Sequence, residues 1–207
     1  MKLKVCGMRS HENILALSDL KPDYMGFIFW KPSKRHVSTT TPTLPSSIKK
    51  TGVFVDEAFD KIKSLIESHQ LQAIQLHGNE NPAFCDRLKH SNVEIIKVFS
   101  IINNFDFSTL APYENVCNYF LFDTKGELPG GNGYAFDWQL LKSYPSSKPF
   151  FLSGGIGMDH LADLEDIIKL NLPLYAIDVN SKFESEAGIK KIELLKDFKI
   201  RLLNKCT

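Results

Sequence analysis

Residues that could do chemistry follow the short β-rich segments of this sequence, each where a segment ends. They are Cys6, Arg35, His77, Asp123, Ser153-Gly154-Gly155 and Asp178-Val179-Asn180-Ser181. The carboxyl ends of parallel strands open on one face of a barrel or sheet, and α/β enzymes place their active sites there. Because the segments themselves are mostly apolar, this clustering of polar groups at their ends is the strongest argument from the residues for an enzyme.

A thiol and a carboxylic acid in this set could act as base and acid. Cys6 would end the first strand on the opposite side from the apolar Leu3 and Val5, since alternate side chains of a strand face opposite sides. Asp123 ends an apolar run, and apolar surroundings favour the protonated carboxyl group that a general acid needs. Taken alone, a buried cysteine is more often a small core residue, and Asp123 could equally be a turn or helix-capping residue.

Two polar loops near the end of the chain could bind a phosphate group. Gly154 and Gly155 would let backbone N–H groups approach an anion closely, and a following helix N-terminus would add a favourable dipole. Asn180 and Ser181 could supply the other half of the site. The glycines could instead form only a tight turn. The pair of loops favours a phosphate site, because barrels often build one after strands seven and eight.

Three further features allow two interpretations each. Arg35 could bind a substrate carboxylate through two parallel hydrogen bonds, or belong to a solvated basic loop. His77 could pack or hydrogen-bond within the fold rather than react. The glycine-rich residues 130–133 could form a closing lid or an ordinary surface loop.

The composition indicates a globular protein without electrostatic affinity for nucleic acids. The 207 residues are 43% hydrophobic, enough for a sizeable core, and carry a formal net charge of +1. The longest apolar run, residues 24–30, is too short to span a bilayer, and the N-terminus lacks a signal-peptide pattern. We therefore expect a cytoplasmic protein with no nucleic-acid partner, no membrane and no obligate protein partner.

The cysteines show no metal-ligand spacing. They lie far apart, at Cys6, Cys85, Cys117 and Cys206. We interpret them as reduced thiols, and we expect neither a metal nor a cofactor. Together, the residues describe a small phosphorylated substrate, one acid and one thiol base. This combination suggests an isomerase that acts by proton transfer.

An alternation of strands and helices that recurs about every 25 residues must position these groups. The pattern predicts strands at 2–6, 24–29, 51–55, 73–76, 93–99, 119–122, 149–152 and 174–177. It predicts helices at about 10–20, 42–49, 57–68, 81–90, 105–113, from near 136–138, 159–169 and 190–205. Eight such units predict one α/β domain over residues 1–207, a (β/α)8 TIM barrel. A doubly wound open sheet is the alternative, but the glycine fingerprint that it needs after the first strand is missing.

Motifs along nearly the whole chain resemble one enzyme family. They occur in the order Lys-Val-Cys-Gly-Met-Arg, Gly-Phe-Ile-Phe with Ser-Lys-Arg, Gly-Val-Phe-Val, Ile-Gln-Leu-His-Gly, Phe-Asp-Thr-Lys with Gly-Gly-Asn-Gly, Phe-Asp-Trp, Leu-Ser-Gly-Gly-Ile, and Asp-Val-Asn-Ser-Lys-Phe-Glu. From Lys4 to about Lys190, the sequence resembles the phosphoribosylanthranilate isomerases of tryptophan biosynthesis. The resemblance implies a (β/α)8 barrel that converts N-(5'-phosphoribosyl)anthranilate into 1-(2-carboxyphenylamino)-1-deoxyribulose 5-phosphate, an Amadori rearrangement.

The resemblance also implies a role for each candidate residue. Asp123 matches the family's general acid, which protonates the ribose ring oxygen, and Cys6 matches the general base, which removes the proton from C2'. Arg35 matches the arginine at the anthranilate end, and Asp178 matches an acidic position close to the substrate. The phosphate-binding positions of the family are matched by Gly154, Gly155, Asn180 and Ser181.

Two other functions remain open beside this one. Another phosphosugar barrel would need metal-binding histidines at strand ends if it were an epimerase, or a catalytic lysine there if it were an indole synthase. A non-catalytic barrel would bind substrate analogues without turnover, although the intact pair of Cys6 and Asp123 argues against it.

Overall fold

Eight parallel strands close into a barrel in the computed structural model, which describes residues 1–102, 105–124 and 137–205. Each strand pairs with the next along the chain, and the last pairs with the first. The strands are β1 (Lys2–Val5), β2 (Tyr24–Ile28), β3 (Lys49–Phe54), β4 (Ala73–Leu76), β5 (Glu94–Ile101), β6 (Tyr119–Thr124), β7 (Phe150–Leu152) and β8 (Leu174–Val179). The predicted TIM barrel is confirmed, and the open-sheet alternative is wrong.

Among the described residues, five α-helices cover the barrel, and a small hairpin follows β8. The helices are α1 (His11–Ser18), α2 (Phe59–His69), α3 (Pro82–Leu88), α4 (Leu161–Lys169) and α5 (Ile192–Asn204). The hairpin consists of β9 (Glu184–Glu186) and β10 (Ile189–Lys190). Within the ranges given above, no helix combines the length and the apolar character needed to cross a membrane.

Three of the predicted helices are not α-helices. Residues 42–48 contain turns and irregular backbone, because Pro42 and Pro45 lack the N–H group that a helix needs and threonine disfavours a helix. The segment Phe107–Tyr113 is a 3₁₀-helix that contains Pro112. The helix predicted from near 136–138 is also a 3₁₀-helix, Trp138–Ser143, and residue 136 lies outside the described residues.

The side chains of each strand alternate between the barrel interior and the surrounding helices. The interior cluster is Tyr24, Ala73, Ile96, Val98, Leu121, Phe151 and Ala176. Leu3 and Val5 belong to the larger cluster between strands and helices, so Lys4 and Cys6 face the interior, as their opposite parity predicts. Strand β1 ends one residue before Cys6, whereas β6 and β8 extend past their predicted ends to include Asp123 and Asp178.

Candidate active site

A cavity of about 310 Å³ lies at the carboxyl ends of the strands. The residues proposed from the sequence that line it are Cys6, Arg35, His77, Asp123, Ser153, Gly154, Gly155, Asp178, Asn180 and Ser181. They come from six different strands or the loops that follow them, so closure of the barrel brings them together. The possible lid at 130–133 lies outside the described residues.

Cys6 is placed in the cavity by close backbone packing. Its N–H donates a hydrogen bond to the carbonyl of Val179 at 2.9 Å, which fixes it beside β8. A Cβ atom added at Gly26 would lie 2.7 Å from the Cys6 Sγ atom, so the glycine in β2 leaves the space that the thiol occupies. Gly7, with φ +77°, allows a similar approach: a Cβ there would lie 2.6 Å from Cδ of Arg35.

The groups around the Cys6 thiol shift its pKa in opposite directions. Burial raises the pKa of the Cys6 thiol, because the thiolate loses its hydration. The ammonium groups of Lys4 and Lys190 lower the pKa of Cys6, while the carboxylate of Asp178 raises it. The thiolate is therefore a strong base whose formation depends on the cations that surround it.

An ion pair lies deeper in the barrel, below Cys6. The Nζ atom of Lys4 donates to Oδ2 of Asp178 at 2.6 Å, and the Lys4 side chain is 0% exposed. Burial opposes the charged form of Lys4, but Asp178 and Cys6 outweigh it and raise the pKa of this lysine. The other carboxylate oxygen of Asp178, Oδ1, is buried without a hydrogen-bond partner among the described residues. Because Asp178 lines the cavity, its carboxylate has the capacity to accept one further hydrogen bond there.

Asp123 is held by a chain of side chains that crosses from β4 to β6. Its Oδ1 atom accepts from the N–H of Thr124 at 2.9 Å, and its Oδ2 atom lies 3.3 Å from Nε2 of His77. The amide Nε2 of Gln75 lies 3.2 Å from Nδ1 of His77. An amide donor at Nδ1 leaves the proton of a neutral imidazole on Nε2, facing Asp123. Thr124 and His77 thus fix the position of the Asp123 carboxyl group.

The two proposed phosphate-binding loops both face the cavity. Gly154 and Gly155 have positive φ values of +97° and +62°. A Cβ atom at Gly154 would collide with Oγ1 of Thr124, so this position requires glycine. On the neighbouring loop, Oδ1 of Asn180 accepts from Nζ of Lys190 at 2.7 Å, which orients the amide.

Arg35 belongs to a partly buried ion-pair cluster, and the solvated-loop interpretation is wrong for it. Its Nε and Nη2 atoms donate to the two carboxylate oxygens of Glu184 at 2.9 and 2.6 Å. Lys190 donates to the same carboxylate at 2.6 Å. The hydrogen bonds to Glu184 raise the pKa of Arg35. Burial raises the pKa of Glu184, but Arg35 and Lys190 together outweigh it and lower that pKa. Burial lowers the pKa of Lys190, although Glu184 acts in the opposite direction. Two cations and one anion leave a net positive charge at this side of the cavity.

Four residues of the site were not identified from the sequence as functional: Lys4, Gln75, Glu184 and Lys190. Lys4 carries one usable signal, because it shares the parity of Cys6 and so must face the same interior. Glu184 ends the motif Asp-Val-Asn-Ser-Lys-Phe-Glu, which marks it only through the resemblance, and Lys190 carries no signal, since its partner Glu184 is reached only through the hairpin.

Sequence comparisons identify relatives along almost the entire chain. The family model described as N-(5'phosphoribosyl)anthranilate (PRA) isomerase matches residues 3–200. N-(5'-phosphoribosyl)anthranilate isomerase of Phocaeicola vulgatus is 42% identical over 92% of this chain and 92% of its own length. The enzyme of the same name from Parabacteroides distasonis is 40% identical over 99% of this chain and 94% of its own length.

Solved structures of the same enzyme share the barrel. Phosphoribosyl anthranilate isomerase from Thermus thermophilus is 27% identical, covers 99% of both chains and has a TM-score of 0.85. A crystal structure of phosphoribosyl anthranilate isomerase in complex with reduced 1-(o-carboxyphenylamino)-1-deoxyribulose 5-phosphate, also 27% identical over 99% of both chains, has a TM-score of 0.80. Given the matched family model, the close relatives and the shared barrel, the chain belongs to the N-(5'-phosphoribosyl)anthranilate isomerase family, the isomerases of tryptophan biosynthesis.

Proposed function

We propose that this isomerase converts N-(5'-phosphoribosyl)anthranilate into 1-(2-carboxyphenylamino)-1-deoxyribulose 5-phosphate, with Asp123 as the general acid and Cys6 as the general base. The observation that carries the proposal is that both groups line one cavity together with the two loops suited to phosphate. The substrate has the matching parts: a phosphate, a ribose that reacts and a benzoate carboxylate.

Asp123 opens the ribose ring. Its carboxyl proton moves to the ring oxygen, the bond between that oxygen and C1' breaks, and the nitrogen lone pair forms the Schiff base. The carboxylate that remains accepts a hydrogen bond from the adjacent His77, whose Nε2 atom lies 3.3 Å away. Because this hydrogen bond strengthens as the proton leaves, it favours the transition state over the bound substrate.

Cys6 then removes the proton from C2'. The electrons of the broken C–H bond neutralise the iminium nitrogen and give an enolamine. This enolamine becomes the ketone when C1' gains a proton and the C2' hydroxyl group loses one. C1' is reduced while C2' is oxidised in the same molecule, so the reaction needs no redox partner, and the proton that Cys6 gains balances the one that Asp123 gives up. The two groups require opposite initial protonation states.

The rest of the cavity orients the substrate between two anion sites. The phosphate lies at Gly154, Gly155, Asn180 and Ser181, which line one part of the cavity. The carboxylate of the anthranilate ring lies at Arg35. Glu184 accepts from Nε and from one N–H of Nη2, so the edge of the guanidinium group formed by Nη1 and the second N–H of Nη2 remains for a substrate. The unsatisfied Oδ1 of Asp178 accepts from a sugar hydroxyl group between them.

The test is turnover of freshly generated N-(5'-phosphoribosyl)anthranilate, followed by the loss of anthranilate-type fluorescence. The wild-type protein is compared with Cys6→Ala and Asp123→Ala. Cys85→Ala is the matched control, since Cys85 is a buried thiol in α3. We expect turnover by the wild type and the control only. A folded wild type that binds the product without turnover would instead indicate a non-catalytic barrel.

A further inference from the structure

We propose that Lys4 is a positioning residue for this reaction: its buried ammonium group, held by Asp178, supports the thiolate form of Cys6. The inference rests on the proposed role of Cys6 as the base. It assigns a function to a lysine that has no contact with solvent.

The strand geometry places Lys4 beside the thiol. Lys4 and Cys6 are two residues apart and face the same interior, so Lys4 lies one step deeper in the barrel. In the pairing of β1 with β8, Lys4 is directly opposite Asp178. Their side chains meet at 2.6 Å, with 0% and 5% exposure, so neither charge is screened by water.

Lys4 is one of several charged groups that face Cys6. Lys190 in β10 and Arg35 in the loop after β2 are both bound to Glu184. Asp178 in β8 opposes the thiolate, and Asp123 and His77 act in turn on Asp178. Among the groups that lower the pKa of Cys6, Lys4 has the strongest effect. The lysine therefore offsets part of the cost of a buried thiolate.

The charge of Asp178 has two effects that a set of variants can separate. It keeps Lys4 in place, but its own negative charge opposes the thiolate. Lys4→Met removes the ammonium group, Asp178→Asn removes the carboxylate, and the double variant removes both. If Lys4 acts electrostatically, the thiolate forms less readily in Lys4→Met and in the double variant than in the wild type.

The experiment measures how fast iodoacetamide alkylates Cys6 between pH 6 and pH 11, by mass spectrometry of its peptide. Peptide mapping separates Cys6 from the other cysteines. Below the midpoint of the titration, we expect Lys4→Met to react at least about tenfold more slowly than the wild type, since a nearby opposite charge changes an ionisation by this order. At high pH, where the thiol is fully ionised, the rates converge unless access to Cys6 has changed.

Lys97→Met is the matched control. Lys97 is also a buried strand lysine paired with a carboxylate, Glu80, at 3.0 Å. Its removal should leave the Cys6 titration unchanged. If Lys4→Met fails to fold, as circular dichroism would show, the double variant decides, because it buries no unpaired charge.

The inference is overturned if Lys4→Met or the double variant titrates as the wild type does, or if Lys97→Met shifts the titration equally. Alkylation requires no turnover, so these outcomes are independent of the proposed function. Full activity in Cys6→Ala would refute the proposed base whatever Lys4 does to the thiol.

Discussion

Gly26→Ala tests whether the position of the Cys6 thiol sets the rate. The new Cβ atom would lie 2.7 Å from Sγ and 3.0 Å from Cα of Cys6, whereas ordinary contact begins near 3.4 Å. Relief of the Sγ contact requires a displacement of about 0.7 Å. Since a misplacement of about 1 Å can cost ~100-fold in rate, we expect kcat to fall by roughly 100-fold, or about 2.7 kcal/mol in the barrier. Overpacking should also destabilise the fold by about 1–3 kcal/mol.

The measurement combines the fluorescence assay with thermal unfolding. Gly52→Ala is the control, because a Cβ there would lie 2.5 Å from Cδ1 of Leu71 and 2.8 Å from the ring of Phe54, away from the thiol. Both variants should lose stability, but only Gly26→Ala should lose kcat beyond its folded fraction. Equal kcat in the two folded variants would refute the reasoning, because the rate would then not depend on the position of the Cys6 Sγ atom.

Three further predictions concern charged groups. Asp123→Asn should abolish turnover while circular dichroism shows an intact fold, and near-wild-type kcat would remove Asp123 from the acid role. Glu184→Gln frees the guanidinium group of Arg35, so KM should rise more than kcat falls, and steady-state kinetics showing only a lower kcat would contradict this. Lys97→Met leaves Glu80 charged and buried, which should cost about 3–5 kcal/mol and lower the Tm by roughly 6–20 °C; an unchanged Tm in calorimetry would contradict it.

The sequence is sufficient to predict the barrel because its strands are short apolar runs that end in polar or glycine residues. The bounds of β4 are as predicted, since a histidine and a glycine end an apolar run there. The helix predicted at 42–49 is wrong because amphipathic spacing is a weak signal where two prolines interrupt it. Each β-rich run is followed by residues that reverse the direction of the chain. This recurring pattern can be recognised from neighbouring residues alone.

The parts of the site that could not be predicted depend on contacts between distant segments. A lysine near the start of a strand would be expected at the protein surface. Lys4 is buried because its ammonium group pairs with Asp178, 174 residues away. Arg35 and Glu184 are 149 residues apart, so no local pattern joins them. The alternation of side chains along a strand predicts which face a residue occupies. The contacts that it makes there depend on how the barrel closes.

Because the proposed base forms where β1 pairs with β8, the return of activity during refolding indicates that the barrel has closed. Lys4 lies in β1, Cys6 directly follows that strand, and Asp178 lies in β8, so the proposed base lies along the seam where the first and last strands of the barrel join. A refolding chain can form its helices and most strand pairs and still have no assembled base. During refolding, helical signal should therefore return before activity does, and the interval between them measures how long the last strand takes to close the ring.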